Sequence, residues 1–167
     1  MTNKLILIIE DDEKHILDAR SELFGCAYYA RNGGPSYTLL EAIKKNNDMG
    51  LPVNIYAKTY REASPWFGNV DGVISDIYFP LDSREPFNQP EPIGVRVAYE
   101  LEKLNKPFVL NTAGYHHGAK YQWIFEMANQ NNWPIIEAGS SSGEGVTKKW
   151  EDAHTKLISL IDENKRG

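Results

Sequence analysis

Cysteine is almost missing: Cys26 is the single one in 167 residues, so no internal disulfide and no multi-cysteine zinc site can form, which fits a reducing compartment. Long hydrophobic runs are missing too. The apolar run from Leu5 to Ile9 is too short for the core of a secretory leader, and no stretch approaches the roughly 20 apolar residues of a membrane span. A cytoplasmic, membrane-free protein is expected. Positive charge is scarce as well: 18 Lys and Arg face 23 Asp and Glu, a formal net charge of -5. That balance argues against nucleic-acid binding, which depends on clustered cations to engage phosphates. Repeats and low-complexity tracts are absent. With 41% hydrophobic and 25% charged residues, what remains is an ordinary folded chain of a length that suits one domain.

Two apolar strands that end in acid stand out. Leu5-Ile6-Leu7-Ile8-Ile9 runs into Glu10-Asp11-Asp12, and Val73-Ile74-Ser75 runs into Asp76-Ile77-Tyr78-Phe79-Pro80. Runs of this kind read as strands buried on both faces of a parallel sheet, where ligands gather outside the carboxyl ends of the strands. Carboxylates brought to one rim repel each other. They either hold a hard cation through oxygen or acquire raised pKa values.

Between and after them, periodicity predicts a helix over 13–24, capped by Asp12, a short strand over 27–30 and a helix from Ser36 to Lys45. A strand over 53–57 follows, with a short helix limited by Pro65. Either 27–30 or 53–57 is the second strand of the main sheet, and the other belongs to an insertion before the Asp76 strand. A Pro-rich loop from Pro80 to Pro92 precedes a helix carrying Val97, Ala98, Leu101 and Leu104. Then come a strand at 107–110, a helix with Trp123, Ile124, Met127 and Ala128, a strand at 134–136, a Gly/Ser loop at 139–145 and a last helix reaching about Asn164. Strands alternating with helices imply right-handed crossovers and a doubly wound, five-stranded parallel sheet with helices on both faces, a flavodoxin-like α/β fold.

Three separate segments carry a family resemblance. Leu7 to Glu13, Asp76-Ile77-Tyr78-Phe79-Pro80, and Pro107-Phe108-Val109-Leu110-Asn111-Thr112-Ala113 together resemble the receiver (CheY-like) domain of two-component response regulators. The resemblance covers nearly the whole chain in order. It implies a phosphoacceptor at Asp76 and Mg²⁺ held by Glu10, Asp11, Asp76 and the Tyr78 backbone carbonyl. It also implies a Thr112 hydroxyl that hydrogen-bonds the phosphoryl group, moving toward it as a switch. The family's lysine at the end of the fifth strand is not in place, since Ile135-Ile136-Glu137-Ala138-Gly139 carries none. Lys148, with Lys149 beside it, is the candidate counter-charge, reached through a Gly-rich loop that permits the return without requiring it. The aromatic that the family carries on that strand is missing.

The resemblance implies a stand-alone receiver of a phosphorelay, served by a histidine kinase or phosphotransferase protein and signalling through a downstream effector protein, because no output domain follows the last helix. Two other readings stand beside it. One is a degenerate receiver acting as a phosphorylation-independent interaction module, motivated by the missing lysine and the insertions. The other is a Mg²⁺-dependent phosphohydrolase, whose general acid two residues after the nucleophile would fall on Tyr78. Asp11 alone also fits a simple helix-capping acid. His116-His117 reads as a solvated loop, since adjacent histidines do not project together. Trp66, Trp123, Trp133 and Trp150 read as core or boundary residues.

Overall fold

The computed structural model describes residues 4–46, 50–83, 91–113, 119–138 and 147–166. β1 (Leu5–Ile9) is apolar throughout and buried over its last four residues. Ile6 and Ile8 enter one core cluster, and Leu7 and Ile9 another. A strand covered on both faces requires this alternation. α1 (Glu13–Glu22) starts at Asp12, whose carboxylate accepts from the backbone N–H groups of Lys14 at 2.8 Å and His15 at 3.4 Å. The helix stops short of the expected Phe24. Gly25, at φ 140, turns the chain where a Cβ would lie 2.3 Å from the Pro52 carbonyl oxygen.

The order continues as β2 (Cys26–Tyr29), α2 (Tyr37–Asn46), β3 (Val53–Ala57), α3 (Tyr60–Ala63), β4 (Gly72–Ser75), α4 (Ile93–Lys103), β5 (Phe108–Thr112), α5 (Ala119–Gln130), β6 (Ile135–Glu137) and α6 (Trp150–Asn164). Short 3₁₀ turns cover Ala30–Asn32 and Ser64–Trp66. All strands pair in parallel, in the order β2-β3-β1-β4-β5-β6.

The sheet therefore has six strands, not the expected five. The two segments treated as alternatives both join it: β3 takes the place beside β1, and β2 pairs outside β3 at the edge, so neither stands apart from the main sheet. Their apolar patterns were equally strand-like, and no local signal says how many strands a sheet will accept.

One face of the sheet packs on Trp66 and Phe67, with Val97, Ala98 and Leu101 of α4 and Ile124 and Ala128 of α5. The other packs on Ile16 and Ala19 of α1 and on Trp150, Ala153, Leu157 and Ile161 of α6, which recur at helical spacing. Trp66, Trp133 and Trp150 are buried, and Trp123 is exposed. Among the described residues no helix is long and apolar enough to cross a membrane. The chain leaves β1 toward the β2 edge, returns to β3, then passes beyond β1 to β4 and on to β6. This reversal opens a crevice at the carboxyl ends of β1 and β4.

Candidate functional site

Both acid-ended strands deliver their carboxylates to that crevice. Pairing of β1 with β4 puts Ile9 beside Ser75, so the next residues, Glu10 and Asp76, stand abreast at the rim. Backbone bonds continue the ladder that far: Asp76 N–H donates to the Ile9 carbonyl and Glu10 N–H to the Ala57 carbonyl, both at 2.9 Å. Carboxylate oxygens of Glu10, Asp11 and Asp76 lie within 4.8 Å of one another. Local donors fix two of them. Glu10 Oε1 accepts from Asp12 N–H at 3.0 Å, and Asp76 Oδ1 accepts from Ile77 N–H at 2.7 Å.

Lys148 completes the cluster. Its ammonium donates to Glu10 Oε2 and lies 3.1 Å from Asp76 Oδ2, with its side chain and that of Glu10 each only 1% exposed. The cation that strand order fails to supply thus arrives from the segment just ahead of α6. Two residues later Trp150, 1% exposed, anchors that helix in the core. Lys149 is exposed. The Gly/Ser loop that leads there, His116-His117 and positions 84–90 of the Pro-rich loop all fall outside the described residues.

A cavity of about 340 Å³ opens over the cluster, lined by Glu10, Asp11, Asp12, His15, Asp76, Tyr78, Thr112, Ala113, Tyr121 and Lys148. Every residue expected at the site reaches this wall. Thr112 ends β5 with a side chain closed off from solvent, and Tyr78 packs edge-on against Tyr121 at 5.6 Å. A larger hollow, about 450 Å³, sits between Trp133 and Asn164 at the amino ends of β5 and β6. It is wider, but the converging charges are at the other end of the sheet.

Burial dominates the electrostatics. It raises the Glu10 carboxyl to about 8, helped by Asp76 and opposed by Lys148. Asp11 rises to about 6 through burial and then Asp76. For Lys148 burial works against the charge, but the Asp76 and Glu10 carboxylates outweigh it and hold the ammonium above the ordinary lysine value. Once all three carboxylates are ionised, they and one ammonium leave two units of negative charge unbalanced. That surplus, and an all-oxygen donor set, fit a single divalent hard cation such as Mg²⁺. His15, on the cavity wall, is lowered by burial and then by Lys148.

Four residues at the site escaped the sequence reading, His15 on the cavity wall among them. Ser75 Oγ donates to the Asp76 carbonyl at 2.7 Å. Tyr121 enters from α5. Gly94, in the first turn of α4, donates its N–H to the Ile77 carbonyl at 2.9 Å, and a Cβ there would stand 2.3 Å from the Asp76 carbonyl oxygen. The signal for Gly94 was legible: a glycine inside an apolar helical run marks a close backbone approach.

Fold and site together define a parallel α/β domain whose switch-point crevice holds three carboxylates and one buried lysine. A scan against protein-family models finds no match, and neither does a search of curated proteins. Among solved structures, a response regulator receiver domain protein (CheY-like) from Methanospirillum hungatei matches with a TM-score of 0.52 at 16% identity, covering 99% of this chain and 98% of that one. An adenylate cyclase from Rhodopirellula baltica matches at a TM-score of 0.45 and 14% identity over 98% of this chain and 90% of that one. That second similarity is too low to carry an argument. The fold is that of a CheY-like receiver domain, as the sequence motifs predicted.

Proposed function

We propose that the chain is a phosphoacceptor receiver of a two-component phosphorelay, with Asp76 as the residue that takes the phosphoryl group. The observation that carries this reading is the buried Lys148 ammonium seated between Glu10 and Asp76. The missing lysine was one motive for a degenerate, phosphorylation-independent module, and the position of Lys148 speaks against that motive. A phosphohydrolase with its acid two residues after the nucleophile is also poorly served. Tyr78 holds that position, and its hydroxyl is pushed up to about 12 by burial, then by Tyr121 and Asp76.

Glu10, Asp11 and Asp76, with the Tyr78 backbone carbonyl, would hold Mg²⁺, which when bound screens the charge that otherwise keeps a phosphoryl donor away. An Asp76 carboxylate oxygen attacks the phosphorus of a phosphohistidine on a histidine kinase or phosphotransferase protein. The new O–P bond forms as the N–P bond breaks, and the leaving imidazole nitrogen keeps the electron pair and takes up a proton. Lys148 and the Thr112 hydroxyl then serve as donors to phosphoryl oxygens. An effector protein reads the altered surface.

Incubation with Mg²⁺ and acetyl phosphate tests the reading by mass spectrometry. A gain of one phosphoryl group, absent in Asp76→Asn and absent with a chelator, is expected. Labelling that persists in Asp76→Asn, or no labelling from acetyl phosphate or phosphoramidate, returns the chain to the interaction-module reading.

A further inference from the structure

The two edges of the sheet are not alike. β6 is three residues long, follows Pro134 and ends in Glu137, the usual means of discouraging a strand from pairing with a stranger. β2, Cys26-Ala27-Tyr28-Tyr29, has neither charge nor proline, and Cys26 and Ala27 are exposed. Cys26 N–H donates inward to the Pro52 carbonyl at 2.9 Å. By alternation Ala27 turns its N–H and carbonyl outward, and Tyr29 its N–H. Among the described residues no further strand pairs with this edge.

Side chains on either side of β2 select what could pair there. On the α2 face, Tyr28, Leu39, Ala42 and Ile43 line an apolar groove of about 180 Å³. On the α1 face Tyr29 carries two guanidinium groups. Arg20 Nη1 donates to its hydroxyl at 2.7 Å, and the Arg31 guanidinium lies 4.9 Å from its ring centroid. Neither arginine has a carboxylate within ion-pair distance among the described residues, in a chain of net charge -5. Lys45 adds charge of the same sign at the end of α2, where Lys44 is paired with Glu41 at 3.8 Å. The edge is therefore a basic strip on an acidic molecule, and a second copy of the same strip would be repelled.

We propose that the β2 edge docks an extended segment of a partner protein in which apolar residues alternate with Asp or Glu. Period-two alternation seats the apolar side chains in the Tyr28 groove and turns the carboxylates to Arg20 and Arg31, where planar guanidiniums suit them. This site is separate from the acidic crevice and does not rest on its phosphorylation.

A capped eight-residue peptide of alternating Val and Glu, titrated into the isotope-labelled full chain and followed by NMR, tests it. Shifts concentrated on β2 and α2 are expected, with no response to an alternating Val and Lys peptide. Binding should weaken at least tenfold in the Arg20→Glu, Arg31→Glu double variant, and also in Ala27→Pro, which deletes an outward N–H at a position where an edge strand tolerates proline. Thermal melts of both variants verify that they fold. The proposal is overturned if the acidic peptide leaves the β2 amides unmoved at millimolar concentration, if the double variant binds it equally well, or if sedimentation shows the edge occupied by a second copy.

Discussion

Gly94→Ala sets two effects of known size against each other. In a helix, alanine is favoured over glycine by about 1 kcal/mol, so propensity alone predicts a more stable protein. Contact geometry predicts the reverse. The new Cβ would lie 2.3 Å from the Asp76 carbonyl oxygen and 2.7 Å from Ile77 Cα, both backbone atoms that cannot swing aside. Restoring an ordinary contact needs a retreat of about 1 Å, and α4 is held in place by buried Val97, Ala98 and Leu101. Overpacking of this kind costs about 1–3 kcal/mol, so the net expectation is a loss of up to about 2 kcal/mol. The displaced atoms belong to the peptide of Asp76, the proposed phosphoacceptor. A 1 Å misplacement of a reacting group costs on the order of 100-fold in rate, so acetyl-phosphate labelling should slow far more than the stability loss implies. Denaturant unfolding and a labelling time course measure the two. Gly68→Ala is the control, because nothing lies within 4 Å of a Cβ there. A Gly94→Ala protein that is more stable than wild type and labels at the wild-type rate would refute the close-approach argument.

Three further outcomes follow from the charges. Lys148→Met removes the partner of a buried carboxylate pair and should cost about 3–5 kcal/mol without metal, with Mg²⁺ recovering more stability in the variant than in wild type; equal recovery in both would count against the shared-charge geometry. Glu10 and Asp11 have folded-state values of about 8 and about 6, above their ordinary values. The folded state then binds more protons, so this contribution is complete at low pH and is lost as pH rises through about 8, with a slope of about 1.4 kcal/mol per pH unit per proton. Metal-free melts from pH 5 to 8.5 should show that decline, and saturating Mg²⁺ should flatten it. Asp11→Asn should stabilise the metal-free protein at pH 8 by removing one repelling charge, while weakening Mg²⁺ binding in a fluorescence or calorimetric titration.

The sequence revealed much of this because the site's acids lie at ends of strands that are apolar on both faces. Leu5–Ile9 and Val73–Ser75 announce themselves by composition, and the parallel register then carries Glu10 and Asp76 to one rim without further information. Strand count was harder. Residues 27–30 and 53–57 each read as strands, but membership in the sheet is decided by pairing partners dozens of residues away. Lys148 was harder still, since a glycine-rich segment has no periodicity to say where its far end lands. Gly94 needed only a stricter reading of its own helix.

Lys148 ties the crevice to the far side of the sheet. Its ammonium sits with Glu10 and Asp76, and also 5.8 Å from the ring of Trp150, the first buried residue of α6. Trp150, Ala153, Leu157 and Ile161 then run down the core against β1, β4 and β5. A receiver whose lysine stood on the last strand would pull on a strand tied into the sheet by its hydrogen-bond ladder. Here the pull of a phosphorylated Asp76 would fall on a two-residue tether at the head of a helix, the softer of the two elements. If phosphorylation moves anything beyond Thr112 in this protein, the amino-terminal turn of α6 is the element that the charge geometry selects. Amide exchange at Trp150–Ala153, with and without a phosphoryl mimic, measures it directly; protection unchanged there while Thr112 responds would confine the switch to β5.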